Sequence, residues 1–214
     1  MSQNLLPCDQ LPVLCQRDVC QIVHPEEFKA GDVIGFSGNG WISGLINIGT
    51  YGLPWWGLSH VGILAHASDG RLLLFESTTL EGMPCEIMGA CFNGTQAHDL
   101  DKILKVYPGK VWHYPLYRRL FEHEDKRLTD FLMATIHTPY DEMGAFRSAG
   151  IGLSWVESCL REQDLHMMFC SEWVAAAHAT IGIMPTDNAG RWNPNHLCRT
   201  LRGKELVFKP RRMR

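Results

Sequence analysis

No early stretch of this 214-residue chain joins a basic start, an apolar run and a small-residue cleavage site, so nothing in it reads as a secretory signal. Pro7, Asp9, Pro12 and Arg17 interrupt the leucines of the first twenty residues. The expectation is a cytoplasmic protein whose eight cysteines (8, 15, 20, 85, 91, 159, 170 and 198) are reduced thiols. Standard zinc-ligand spacing is missing too. Cys8, Cys15, Cys20 and His24 fall at no usual pair distance, and no metal or cofactor is expected. There is no internal repeat and no low-complexity linker. Apolar residues are 45% of the chain and charged ones 20%, which excludes wholesale disorder and collagen-like structure. A chain of this length buries a core without disulfide staples.

Charge is absent over a long internal stretch, from Val33 to Ser59. That length invites a transmembrane reading. Seven glycines, Pro54 and several Ser and Asn residues argue against it. A short helix near Ile42–Ile48 and a loop carrying Trp55 and Trp56 are expected instead. Residues 37–58 read either as a movable apolar wall against which an acyl group lies, with Trp55 and Trp56 in contact, or as a segment packed on the protein's own core. At the other end, residues 199–214 hold seven basic residues and one acid, Glu205. This tail could touch an anionic surface; a frayed, solvated end is the preferred reading. With a net charge of -3 and no recognisable nucleic-acid motif, no specific nucleic-acid partner is expected.

The elements follow from pattern. Val33–Phe36, Ser59–Ala65 and Arg71–Glu76 read as strands, the last two joined at the Asp69-Gly70 turn signal. Residues 85–89 and 110–116 are further strand candidates. Leu120–Ile136 carries apolar residues at helical spacing, and Phe169–Ile181 reads as a second helix stopped by Gly182. Strands early and helices late indicate an α+β class. The domain reading is an N-terminal extension over 1–30, one domain over 31–200 and a basic tail over 201–214.

Cys170 stands at the start of the second expected helix. There, free N–H groups and the helix dipole favour a thiolate and could hold an oxyanion. A nucleophilic cysteine needs a base. His166 precedes the helix and His178 lies about two turns on, so the base should come from elsewhere. His60 is the best candidate. If the hairpin loop spans His66 to Gly70, Ala65 pairs with Arg71 and His60 with Glu76, which puts a carboxylate beside the imidazole on one face. Such a carboxylate fixes the tautomer and stabilises the cation. Taken singly, Cys170 also reads as a small buried hydrophobe and His60 as a core residue with a satisfied hydrogen bond. Glu76 in an apolar strand is harder to explain without a partner.

Gly31-Asp32, Ser59-His60-Val61-Gly62-Ile63, Phe75-Glu76-Ser77, Pro139-Tyr140-Asp141 and Phe169-Cys170-Ser171-Glu172-Trp173-Val174 occur in that order. Together they resemble the circularly permuted branch of the NlpC-type papain-like cysteine hydrolases. That branch includes YiiX-like proteins and is related to the lecithin–retinol acyltransferase group. The resemblance spans roughly residues 31 to 200. It implies a papain-like fold, with a small antiparallel sheet or partial barrel packed on the nucleophile helix. It implies Cys170 as nucleophile, His60 as base and Glu76 as third member, with Tyr140 lining the pocket. Tyr140 reads equally as a buried tyrosine with its hydroxyl bonded. Trp173 stands where an aliphatic residue is usual, and residues 1–30 match nothing in the family. The function implied is a thiol hydrolase that cuts an amide or ester through a Cys acyl-enzyme, its substrate a peptide or a lipid-like acyl compound. An acyltransferase using the same residues and a catalytically silent binding module are the alternatives.

Overall fold

The computed structural model describes residues 27–38, 57–78, 83–139, 165–184 and 192–214, with the backbone alone for 165–169. The architecture is α+β. Strands β1 (Val33–Ser37), β2 (His60–His66), β3 (Leu72–Thr78), β4 (Gly94–His98), β5 (Lys110–Tyr114) and β6 (Arg211–Arg212) form one open sheet in the order β4-β3-β2-β1-β5-β6. Every neighbouring pair is antiparallel. The described helices are α1 (Leu100–Val106), α2 (Glu122–Thr135), α3 (Leu165–Thr180) and α4 (Pro194–Gly203).

Both faces of the sheet are covered, which explains the nearly unbroken apolar run of β2. Val61, Ile63 and Ala65 point into the larger core, with Val174 and Ala177 of α3, Leu128 and Leu132 of α2, and Leu197 and Leu201 of α4. Leu64 points the other way and joins Ile34, Phe36, Leu74, Val111 and Ile103 of α1 in a smaller cluster. Gly62 occupies a crowded position. A Cβ there would lie 2.7 Å from Leu74 Cδ1 and 2.9 Å from the Phe75 carbonyl oxygen. Gly94 is crowded in a different way, because its φ is +147° and a Cβ would fall 2.1 Å from the Thr138 carbonyl oxygen.

Helix α3 is buried on all sides from Cys170 to His178, as expected of a central helix. Trp173 Nε1–H donates to Thr135 Oγ1 at 2.9 Å, tying α3 to α2. Gly182, in the left-handed region at φ 70°, ends the helix, and Ile183 N–H returns to the His178 carbonyl at 2.9 Å. Helix α1 begins at Asp99, whose carboxylate accepts from Lys102 N–H at 3.0 Å. Helix α4 begins at Asn193, which accepts from His196 N–H at 2.8 Å and is followed by Pro194.

Three expectations are corrected. Residues 85–89 form a turn, closed by Gly89 N–H on the Cys85 carbonyl at 2.7 Å; the strand of that region is β4. The basic tail is not frayed. Arg211 and Arg212 pair with His113 and Trp112, and Met213 N–H donates to the Val111 carbonyl at 2.9 Å. Val207 is buried, so apolar anchors outweigh the solvation of the neighbouring arginines. The boundary drawn at 200 falls inside α4, where Leu201 is fully buried. No helix among the described residues is long and apolar enough to cross a membrane.

Candidate functional site

His60 opens β2 at the margin of the sheet, opposite Phe36 of β1, with ring centroids 5.4 Å apart. Glu76 lies opposite Gly62, not opposite His60. The hairpin loop is Ala67–Arg71, one residue later than expected at each end. Ala67 N–H to the Arg71 carbonyl (2.8 Å) and Arg71 N–H to Asp69 Oδ1 (3.0 Å) close it. The register therefore differs by two. A shift of two conserves the face, so His60 and Glu76 still meet, as diagonal neighbours. Gly62, between them in register, has no side chain to intrude.

The contact is close: His60 Nε2 lies 2.6 Å from Glu76 Oε2. The other carboxylate oxygen, Oε1, lies 2.8 Å from His98 Nδ1 on β4. Glu76 is 1% exposed. Burial pushes its carboxyl up, but the hydrogen bonds from His60 and His98, and the positive charge on those rings, outweigh that and hold it at about 2. For His60 burial works downward. The negative charge of Cys170, a hydrogen bond with it, and the same two contributions from Glu76 win, and the imidazole is raised to about 10. Nε2 is the ring nitrogen committed to Glu76. His60 and Glu76 share the α1 face, whereas Cys170 belongs to the core on the α3 face. The imidazole serves both from the end of its strand.

Cys170 is not at a helix start. Helix α3 begins at Leu165, which puts Cys170 in its second turn. The unpaired N–H groups belong to the first four residues, and the dipole effect fades within the first turn. The run Leu165-His166-Met167-Met168 contains no helix breaker, so the helix extends upstream of the cysteine. The polar partner supporting the thiol is His60 instead.

Sequence reasoning missed two contributors. One is His98, on a strand, Gly94-Thr95-Gln96-Ala97-His98, with no apolar alternation to announce it. The other is Asn195. Its Oδ1 accepts from Leu58 N–H at 2.8 Å and its Nδ2 donates to the Leu58 carbonyl at 3.1 Å, two residues before His60. Its signal was the Asn193-Pro194 helix start, which places Asn195 in the first turn of α4. Tyr140, Trp55 and Trp56, and most of the 37–58 stretch, lie outside the described residues. Among the described residues no group of three or more His, Cys, Asp or Glu is arranged to hold a metal ion.

A second buried acid lies elsewhere in the sheet. Asp32 Oδ2 accepts from His113 Nε2 at 2.7 Å and from Lys29 N–H at 3.1 Å. Its Oδ1 accepts from Leu116 N–H at 2.8 Å and pairs with Lys29 Nζ at 3.0 Å. Nearby, His178 Nε2–H donates to the Gly31 carbonyl at 2.8 Å. Burial lowers His178 to about 4, against the opposing pull of that hydrogen bond and of the Asp32 charge.

No protein-family model matches the chain, and no curated protein matches it. Among solved structures, the metalloprotein YiiX from Escherichia coli O157:H7 is similar, with a TM-score of 0.45 and 17% identity over 73% of this chain and 67% of that one.

Proposed function

We propose that the protein is a thiol hydrolase of the permuted papain-like type, cutting an amide or ester through an acyl-enzyme on Cys170. The observation that carries this reading is the hydrogen bond of His60 Nε2 with Glu76 Oε2 at 2.6 Å, on an imidazole that also interacts with Cys170. In the proposed cycle His60 already holds, on Nδ1, the proton given up by Cys170, and the sulfur attacks the substrate carbonyl as the thiolate of that ion pair. The tetrahedral intermediate collapses as the leaving amine or alcohol takes the proton from His60, which leaves a thioester. Water, giving a proton to His60, then attacks the thioester and releases the acid, the sulfur leaving as thiolate beside the imidazolium. Glu76 stays ionised throughout, fixing the tautomer and stabilising the imidazolium.

An alcohol or amine in place of water makes the same cycle an acyl transfer. The substrate class is a peptide or a lipid-like acyl compound. The test is site-resolved iodoacetamide labelling at pH 7, with turnover compared between wild type and Cys170→Ala. Cys170 should label faster than Cys91, the exposed thiol among the described residues, and Glu76→Gln should slow that labelling roughly tenfold or more. Equal labelling of Cys170 and Cys91 would leave a silent binding module as the better reading.

A further inference from the structure

Glu76 is shared. Its two oxygens go to two histidines from two different strands, at 2.6 Å to His60 and 2.8 Å to His98. The residue directly opposite it on β4, Gln96, does not compete, because its amide donates to the Phe92 carbonyl at 2.6 Å. His98 is 1% exposed, and its other nitrogen, Nε2, is buried with no hydrogen-bond partner among the described residues. The ring thus makes one directed polar contact, and that contact is with Glu76. A buried carboxylate bonded on one oxygen alone would leave the other desolvated and unpaired, which favours either protonation or rotation away from His60.

We infer that His98 is a positioning residue: its Nδ1–H anchors one oxygen of Glu76, so that the carboxylate stays charged and keeps its other oxygen on His60. This rests on the proposed role of His60 and Cys170 for its functional meaning, although the carboxylate geometry stands without it. The groups facing Glu76 are few. His60 comes from β2, His98 from β4 and Tyr107 from the end of α1, the phenol being raised by burial and, in smaller part, by the Glu76 charge. Cys170 is reached only through His60. Among the described residues only His60 and His98 hydrogen-bond the carboxylate, so removing His98 leaves one described donor for two buried oxygens.

The test follows the side-chain carboxyl carbon of Glu76 by NMR against pH in the full chain. The variants are His98→Leu, which keeps bulk and removes the donor, and His98→Asn, whose amide N–H falls near the Nδ1 position. The Glu76 midpoint should rise by at least about one pH unit in His98→Leu and return most of the way in His98→Asn. The acid limb of Cys170 iodoacetamide labelling should move with it. His98→Gln, whose amide sits one carbon too far out for the Nδ1 position, replaces the leucine variant if that variant does not fold. An unmoved Glu76 midpoint overturns the inference, whatever Cys170 does. So does a midpoint raised equally in the leucine and asparagine variants, since that marks lost packing rather than a lost donor. A midpoint that moves and is rescued while Cys170 labelling stays unchanged upholds His98 and counts against the hydrolase reading.

Discussion

Two buried carboxylates of this protein each hold a histidine at about the same distance, yet only one of those histidines leads on to a thiol. Asp32 fills both oxygens with His113, Lys29 and two backbone N–H groups, and the far nitrogen of His113, Nδ1, is buried without a partner among the described residues. Glu76 also fills both oxygens, but the far side of His60 meets Cys170, and the imidazole keeps 20% of its surface open. The charge states diverge as well. His178 beside the Asp32 cluster is pushed towards neutrality, whereas His60 is held towards the cation. A buried acid–imidazole pair alone therefore does not mark a site. What distinguishes Glu76 is that its histidine has a second neighbour, the thiol of Cys170.

The largest expected effect lies on the sealed side of this comparison. Asp32→Ala strands Lys29 and His113 in the interior and should cost about 3–5 kcal/mol in urea unfolding. A loss below about 1 kcal/mol would mean the cluster is not the fastening described.

The next effect belongs to the open side and depends on pH. His60 is raised above its ordinary 6.5 to about 10. Its contribution to stability is fully present below pH 6.5 and is lost as pH rises through the folded value. Glu76, lowered from 4.5 to about 2, contributes above pH 4.5 and loses that contribution as pH falls towards 2. The two describe one coupled interaction and are not added. Unfolding free energy should fall by about 2–4 kcal/mol between pH 6.5 and 10, and by distinctly less in Glu76→Gln. Identical slopes in the two proteins would remove Glu76 as the partner of His60.

The smallest effect is expected at a third acid–imidazole pair, His66 Nδ1 with Asp125 Oδ2 at 2.7 Å, where the side chains are 41% and 29% exposed. Water competes there, so His66→Ala should change stability by less than about 1 kcal/mol. A larger loss would show that exposure does not rank these pairs.

Much of the site was legible because strand patterning has a period of two. The turn signal at Asp69-Gly70 put His60 and Glu76 on one face although the register was off by two positions. Cys170 was legible as a residue but not in its helical position, because a run of helix formers without a breaker hides where a helix begins. Helices α1 and α4 had their caps in plain view at Asp99 and Asn193, yet their short apolar patterns drew no notice. Asp32 and His113 are separated by 81 positions, and no local pattern reports a pairing of that kind. The tail misled through its charge, since its arginines masked the buried Val207 that holds it in place.

The order of the strands also bears on how the chain acquires this arrangement. β2, β3 and β4 are successive antiparallel neighbours, so residues 60 to 98 form a meander whose contacts are local in sequence. The pairing of β1 with β5 must instead close a loop from Val33 to Tyr114, at a greater entropic cost. His60, Glu76 and His98 all lie within the meander, whereas Asp32 and His113 straddle the long closure. A chain that forms its local pairings first would bring the acid together with its two histidines before the sealed cluster closes.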